Sequence, residues 1–140
     1  MMYISRRERF SAAHKLWNYE FSDEKNIEIY DKCANANFHG HNYELIVTLR
    51  GEIDKSTGYV FDLKKLSEIL NQRVINKLDH KNLNLDVDFL KDLIPTAENI
   101  AFAIWNEIEA ELKTANCQLH KIKLIETENN FVEYYGQMQS

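Results

Sequence analysis

The chain has few of the residues that interrupt or cross-link a fold. Its 140 residues include one proline, four glycines and two cysteines. Glycine and proline are enriched in turns and linkers, and no stretch of this chain is rich in them. We therefore predict a single domain over residues 1–140. The two cysteines, Cys33 and Cys117, are too few for a disulfide framework. We therefore expect free thiols and a cytoplasmic, reducing compartment.

Long apolar runs and an excess of positive charge are also missing. The N-terminal residues lack the apolar stretch of a signal peptide, and no window is long enough for a membrane span, so no membrane association is expected. The net charge is −5. A nucleic-acid-binding surface normally needs a basic patch, and the arginines at positions 6, 7 and 9 are more typical of a solvated strand face. The composition therefore argues against a nucleic-acid partner.

Alternating polarity predicts two strands in the first third of the chain. From His39 to Arg50, every second side chain belongs to a set that begins with two histidines and continues with apolar residues: His39, His41, Tyr43, Leu45, Val47 and Leu49. A period of two is typical of a half-buried strand, so both histidines are expected on its inward face. A preceding strand, from about Tyr3 to Lys15, carries on one face Phe10, Ala12 and His14.

Two helices and two further strands are predicted in the remainder. Asp62 is the expected N-cap of a helix that ends near Leu78, and Thr96 is the expected N-cap of a second helix. The second helix has a buried stripe at steps of four, formed by Ile100, Ile104, Ile108 and Leu112. Strands are predicted from about Leu119 to Thr127 and around Phe131 to Tyr135. Glu126 shares the inward face of the first of these strands.

The order of these elements, ββααββ, predicts an α+β fold. Both sequential strand pairs are expected to be antiparallel, which gives a four-stranded antiparallel sheet with two helices on one face. The polar stretch 17–37 is predicted to be irregular, and its length favours a functional role or a little structure of its own. Uncovered sheet edges invite pairing with another chain, so we expect a homo-oligomer.

Three histidines on neighbouring strands indicate a metal site. If the first two strands pair antiparallel, His14 approaches His39 and His41. Three neutral imidazoles without a fourth protein ligand leave one position open, which is the arrangement of a catalytic zinc. In the alternative interpretation, His14 is a core histidine hydrogen bonded to the backbone. The pair of histidines opposite favours the metal.

Four other residues are candidates for acid–base chemistry or for anchoring a ligand. Cys33 lies in a polar stretch, where a nearby metal would favour its thiolate, although it could also be a small buried hydrophobe. Asp79 can orient the adjacent His80 and let it exchange a proton with Cys33, or the two can form a surface pair. Glu126 is either an edge carboxylate in water or a buried anchor for a planar N–H/NH₂ edge of a ligand.

Together these motifs resemble those of the 6-pyruvoyltetrahydropterin synthase family, which includes the 6-carboxytetrahydropterin synthases of queuosine biosynthesis. The resemblance covers nearly the whole chain in six segments: Phe10 to His14, Cys33 to Tyr43, Gly58 to Leu63, Leu78 to Leu83, Pro95 to Asn99 and Ile125 to Asn130. Several spaced motifs in the right order make the match specific.

The resemblance implies the T-fold, in which trimers join their sheets into a barrel and two trimers stack as a hexamer with active sites at subunit interfaces. It implies that zinc is held by His14, His39 and His41. It also implies that Cys33 is the catalytic base. Asp79 and His80 would assist it, and these two residues would reach the site from a neighbouring subunit. The implied substrate contacts are Glu126 as the pterin anchor, with Thr96 and Glu98.

The implied substrate is 7,8-dihydroneopterin triphosphate, and no organic cofactor is needed. We predict zinc-dependent conversion to 6-pyruvoyltetrahydropterin with elimination of triphosphate. The alternative product is 6-carboxy-5,6,7,8-tetrahydropterin, released with acetaldehyde and triphosphate. The five residues between Cys33 and His39 favour the pyruvoyl product without deciding it. A pterin-binding protein without catalysis, and epimerisation or aldol cleavage of dihydroneopterin, are further alternatives.

Overall fold

One sheet organises the computed structural model, which describes residues 1–137. Its five strands are β1 (Met2–His14), β2 (His39–Gly51), β3 (Lys81–Asn82), β4 (Cys117–Ile125) and β5 (Phe131–Tyr134). They lie in the order β3-β1-β2-β4-β5, and every neighbouring pair is antiparallel except β3 with β1. The predicted four-stranded antiparallel sheet is therefore confirmed, with one short parallel strand added to it.

The added strand β3 lies against the end of β1. Its register pairs Lys81 with Ala12 and Asn82 with Ala13. The flanking backbone is bonded as well, because the Leu83 N–H donates to the Ala13 carbonyl oxygen at 2.8 Å. Two residues are too few to show the period of two by which a strand is predicted from sequence.

Over residues 1–137, four α-helices accompany the sheet: α1 (Asp23–Tyr30), α2 (Leu63–Leu70), α3 (Asn76–Leu78) and α4 (Ala97–Ile108). A π-helical turn, Asn71–Ile75, joins α2 to α3, so the backbone stays helical up to Leu78 as predicted. Both predicted N-caps are confirmed, since the Asp62 side chain accepts from the Lys64 N–H and Thr96 Oγ1 accepts from the Asn99 N–H. Within residues 1–137, no helix is long and apolar enough to cross a bilayer.

The core lies between the inward face of the sheet and the helices. Helix α2 packs on β1, and α4 packs on β4 and β5. The predicted stripe of α4 and the inward side chains of β2 after the histidines are all fully buried: Tyr43, Leu45, Val47, Leu49, Ile100, Ile104, Ile108 and Leu112. The other face of the sheet carries polar and charged side chains, such as Arg7, whose guanidinium lies 2.9 Å from the Glu44 carboxylate.

Helix α1 corrects the prediction of an irregular stretch at 17–37. The helix has no buried apolar stripe, because Ile27 and Ile29 are exposed, so the usual sequence pattern of a helix is absent. A fully buried polar residue, Asn26, organises the segment instead. Its Oδ1 accepts from the Asn18 N–H at 2.8 Å, and its Nδ2 donates to the carbonyl oxygens of Asn18 and Ser22 at 3.0 and 3.2 Å.

Candidate functional site

Three histidines meet at the end of the sheet where β1 finishes and β2 begins. His14 lies directly opposite His39 in the antiparallel register, and Ala12 lies opposite His41. The ring centroid of His14 is 4.6 Å from that of His39 and 5.1 Å from that of His41. One ring nitrogen from each histidine lies within 4.8 Å of the other two. The predicted approach of His14 to the histidine pair is confirmed.

The nitrogen atoms of this cluster suit a metal ion. The Nδ1 of His14 lies 2.8 Å from the carbonyl oxygen of Pro95, which can only accept, so Nδ1 carries the proton and Nε2 keeps a free lone pair. Within residues 1–137, three buried ring nitrogens have no hydrogen-bond partner: His14 Nε2, His39 Nδ1 and His41 Nε2. Buried polar atoms are normally paired, so three unpaired lone pairs facing one another fit a divalent cation. A backbone-bonded core histidine would account for only one of the His14 nitrogens.

Burial also shifts the pKa values of two of these histidines. It lowers the pKa of His14 to about 4, even though the hydrogen bond to Pro95 opposes this shift. Burial lowers the pKa of His39 too, and the neighbouring His41 adds to that shift. The Tyr43 hydroxyl lies 3.4 Å from His14 Nδ1, and its own pKa is raised by burial. At neutral pH the His14 imidazole is therefore in the uncharged form that binds metals.

A cavity of about 450 Å³ lies beside the cluster, between the start of α4 and the turn after β4. Glu126, Thr96 and Glu98 all line it. The Glu126 Oε1 atom is 3.8 Å from His41 Nε2, which connects the cavity to the histidines. Phe131 contributes an aromatic wall. The size suits a small heterocycle, because ligand pockets usually span roughly 300–1,000 Å³.

Cys33 lies at the same end of the sheet. It belongs to a 3₁₀ turn, Asp31–Ala34, that follows α1. Its carbonyl oxygen accepts a hydrogen bond from the N–H of Leu16 at 2.7 Å, and Leu16 also lines the cavity. The thiol is free and partly exposed, which is unlike a small hydrophobe buried in the core.

Asp79 and His80 lie elsewhere, at the β1–β3 edge. Asp79 Oδ1 accepts from the Ser11 N–H at 2.9 Å, and Oδ2 is 3.0 Å from His80 Nδ1. The Ser11 hydrogen bond lowers the pKa of Asp79, and His80 adds to the effect. His80 lines a separate cavity of about 570 Å³, which shares no lining residue with the one at Glu126. One protomer therefore brings the histidine cluster and Glu126 together. His80 lines the second cavity together with His41, and neither Asp79 nor His80 lines the cavity at Glu126.

The whole sequence places these residues in a known family. Residues 3–137 match the family model described as 6-pyruvoyl tetrahydropterin synthase. The chain belongs to this family.

Named members of the 6-pyruvoyl tetrahydropterin synthase family are similar along nearly their whole length. The 6-pyruvoyl tetrahydrobiopterin synthase of Homo sapiens is 43% identical over 134 residues, which cover 96% of this chain and 91% of the human one. The enzyme of that name from Pongo abelii is 44% identical with the same coverage. The structure of Caenorhabditis elegans 6-pyruvoyl tetrahydropterin synthase has a TM-score of 0.90 and 38% identity, covering 97% of this chain and 96% of that one. This likeness confirms the predicted T-fold.

Three residues at the site were not predicted from the sequence: Pro95, Asn129 and Asn130. Pro95 contributes only its carbonyl oxygen, which every residue possesses. No pattern of side chains could therefore predict this hydrogen bond. Asn129 and Asn130 line the cavity beside Glu126. Both belong to the segment that carries the family resemblance, so the sequence did contain the information needed to name them.

Proposed function

We propose that this chain is a lyase that converts 7,8-dihydroneopterin triphosphate to 6-pyruvoyltetrahydropterin with elimination of triphosphate. The observation that carries the proposal is the juxtaposition of three unpaired imidazole nitrogens with a carboxylate-lined cavity, joined where His41 meets Glu126. The names of the relatives, at about 43% identity over 96% of the chain, support the same reaction.

Zinc is the proposed metal, held by His14 Nε2, His39 Nδ1 and His41 Nε2. Neutral imidazoles are preferred ligands of zinc, and His14 is further suited because its other nitrogen is bonded to a carbonyl. A zinc ion bound there would supply a Lewis acid that acidifies the carbons next to the substrate's side-chain hydroxyls.

The cavity residues bind and orient the pterin in this proposal. Glu126 accepts hydrogen bonds from the planar N–H and amino edge of the ring, and such charge-assisted pairs are strong. Thr96 uses its Oγ1 to accept from the Asn99 N–H, so its hydroxyl proton remains free to be donated. Glu98 offers a second carboxylate, and Phe131 shields one side of the ring from water.

Cys33 is the proposed base, and Asp79 with His80 completes the acid–base system from a neighbouring subunit. The His80 side chain is 83% exposed, and the Asp79 carboxylate is held against Ser11, so the pair is presented outward. Strand β1 pairs with β3 only at Ala12 and Ala13, which leaves most of its outer edge available to another chain. We propose a hexamer of two stacked trimers, located in the cytoplasm.

The second candidate is the reaction that forms 6-carboxy-5,6,7,8-tetrahydropterin, acetaldehyde and triphosphate, as in queuosine biosynthesis. It would use the same metal and the same anchor. The five residues between Cys33 and His39 favour the pyruvoyl product. A third candidate, binding of a pterin without turnover, would give no reason for a free, partly exposed thiol on the residue whose carbonyl is hydrogen bonded to Leu16.

The decisive experiment is incubation of the zinc-loaded protein with 7,8-dihydroneopterin triphosphate and identification of the products by mass. A 6-pyruvoyl product supports the proposal. A 6-carboxy product with acetaldehyde selects the second candidate, and an unchanged substrate selects the binding protein. Cys33→Ala should abolish turnover, while Cys117→Ala, at the buried cysteine of β4, should retain it. Unchanged turnover in Cys33→Ala would remove the thiol from the mechanism.

A further inference from the structure

Lys15 has an unusual position directly after His14. Its ammonium lies 4.9 Å from the ring centroid of Phe38 and 5.5 Å from that of Trp17, so it sits against two aromatic rings. Phe38 immediately precedes His39 in the chain. The cation is therefore held between segments that lead into the two opposed histidines.

The backbone of Lys15 is clamped as well. Its N–H donates to Asn84 Oδ1 at 2.9 Å, and its carbonyl oxygen accepts from Asn84 Nδ2 at 3.0 Å. Asn84 is itself held by Asn82, whose Oδ1 accepts from the Asn84 N–H at 2.9 Å. A side chain that starts from such a fixed backbone and lies against rigid rings loses little further freedom when it binds a ligand.

The charge of Lys15 has no acidic partner. Within residues 1–137, no carboxylate lies within 4.0 Å of its Nζ, whereas some cations of the sheet are paired, as Arg9 is with Glu44 and Lys121 is with Glu133. Contact with aromatic faces leaves N–H groups of the ammonium free to donate. An anchored, uncompensated cation of this kind is suited to an anionic ligand.

The cavity next to the histidines has the opposite character. Among the described residues, its charged lining residues are Glu98 and Glu126, and no lysine or arginine lines it. A polyphosphate chain would be repelled there by like charge. The substrate's phosphates follow its hydroxylated side chain, so they must leave the metal centre in another direction. Lys15 lies in the chain between the proposed ligand His14 and Leu16, which lines the cavity.

We propose that Lys15 forms a polyphosphate subsite, in which its ammonium binds the phosphate chain of the substrate while Glu126 holds the ring. This inference rests on the proposed function and adds to it the residue that receives the triphosphate. In this arrangement the acidic cavity binds the ring and Lys15 binds the phosphates of the same molecule. Lys15 acts by binding, so its loss should affect affinity for phosphate-bearing ligands and leave phosphate-free pterins unaffected.

The test is a calorimetric titration of the zinc-loaded protein with inorganic tripolyphosphate. Lys15→Met keeps an unbranched side chain against the rings but removes the charge, and it should weaken binding roughly tenfold or more. Lys15→Arg should restore most of the affinity. The matched control is Lys65→Met, because Lys65 also lies over an aromatic ring, that of Phe61, but on α2. Binding of phosphate-free dihydroneopterin should be the same in all four proteins.

The possible outcomes separate the subsite from the proposed reaction. A wild type that does not bind tripolyphosphate, or a Lys15→Met variant that binds it as well as the wild type does, would overturn the subsite. Equal loss of dihydroneopterin binding in Lys15→Met would also overturn it, since that result indicates a structural role. Tripolyphosphate binding that depends on Lys15, together with no turnover of 7,8-dihydroneopterin triphosphate by the wild type, would refute the reaction and leave the subsite standing.

Discussion

The Nδ1 atom of His14 donates a hydrogen bond to the carbonyl oxygen of Pro95 over 2.8 Å. This bond links the last residue of β1 to the residue before Thr96, the N-cap of α4. It orients the imidazole so that Nε2 faces His39 and His41, and it favours one tautomer. This hydrogen bond thus connects the start of α4, which lines the cavity, with the end of β1, which carries the proposed ligand His14.

Replacing any histidine of the cluster should remove the metal. We expect His14→Ala and His39→Ala to bind zinc at least 100-fold more weakly, because loss of an outer-shell partner alone costs about 10- to 100-fold. Metal content after dialysis measures this directly. The control is His120→Ala, since the His120 ring lies outside the cluster, 4.8 Å from Tyr3 and 5.5 Å from Tyr135. Stoichiometric zinc in His14→Ala would show that this histidine is not a ligand.

The metal-free protein should become less stable as the pH falls through the weakly acidic range. The pKa of His14 is about 4 in the folded chain and 6.5 when the group is unperturbed. Between these values the unfolded chain binds a proton that the folded chain does not, so the free energy of unfolding is full above about pH 6.5 and declines towards pH 4. At about 1.4 kcal/mol per pKa unit, the loss from His14 alone approaches roughly 3 kcal/mol. Urea titrations after chelation, compared with His14→Gln, should show a shallower pH slope in the variant. If the free energy of unfolding depended on pH equally in the wild type and in His14→Gln, the lowered pKa would not belong to His14.

Asp79 should matter through its charge rather than only through its backbone contact. Asp79→Asn keeps an oxygen that can accept from the Ser11 N–H, whereas Asp79→Ala loses that bond at a cost of about 1 kcal/mol. If Asp79 tunes His80 in proton transfer, both variants should turn over about 100-fold or more slowly. Kinetics and thermal melts measure the two effects separately. Asp86→Asn is the control, since Asp86 lines the same outward cavity as His80. Full activity in Asp79→Asn would exclude the relay role.

Glu126 should determine affinity for the pterin ring. Glu126→Gln retains the shape of the side chain but loses the negative charge, and we expect dihydroneopterin to bind roughly 10- to 100-fold more weakly, as hydrogen bonds to charged groups contribute about 1.5–3 kcal/mol. Fluorescence titration with dihydroneopterin, which carries no phosphate, measures this affinity. The nearby exposed Glu128, changed to Gln, serves as the control. Unaltered affinity in Glu126→Gln would place the ring elsewhere.

Asn26 should be the most sensitive position in the segment before Cys33. Asn26→Ala removes three buried hydrogen bonds to the backbone of Asn18 and Ser22. Leaving such groups unpaired costs about 1–3 kcal/mol, and each kcal/mol lowers the Tm by about 2–4 °C in a chain of this size. Thermal denaturation checks the expected loss against Asn37→Ala at an exposed position. A Tm equal to the wild-type value would show that the segment is held by other contacts.

Periodicity predicted the parts of the fold in which one face of an element is buried. The alternation in β2 and the steps of four in α4 arise because core-facing side chains must be apolar, and both patterns were confirmed. Helix α1 escaped prediction because its buried residue is the polar Asn26, and β3 because it is only two residues long. In these two elements, tertiary hydrogen bonds take the place of an apolar pattern.

The sequence by itself determined which side chains share a face, and hence that His39 and His41 project together. That information is local, because the strand period fixes the direction of each side chain relative to its neighbours. The tertiary structure decided which distant residues meet: His14 opposite His39, Glu126 beside His41, and Asp79 against Ser11. Strand register and helix placement bring these residues together through backbone groups such as the Pro95 carbonyl. All residues have such groups, so the sequence does not show which of them will form hydrogen bonds.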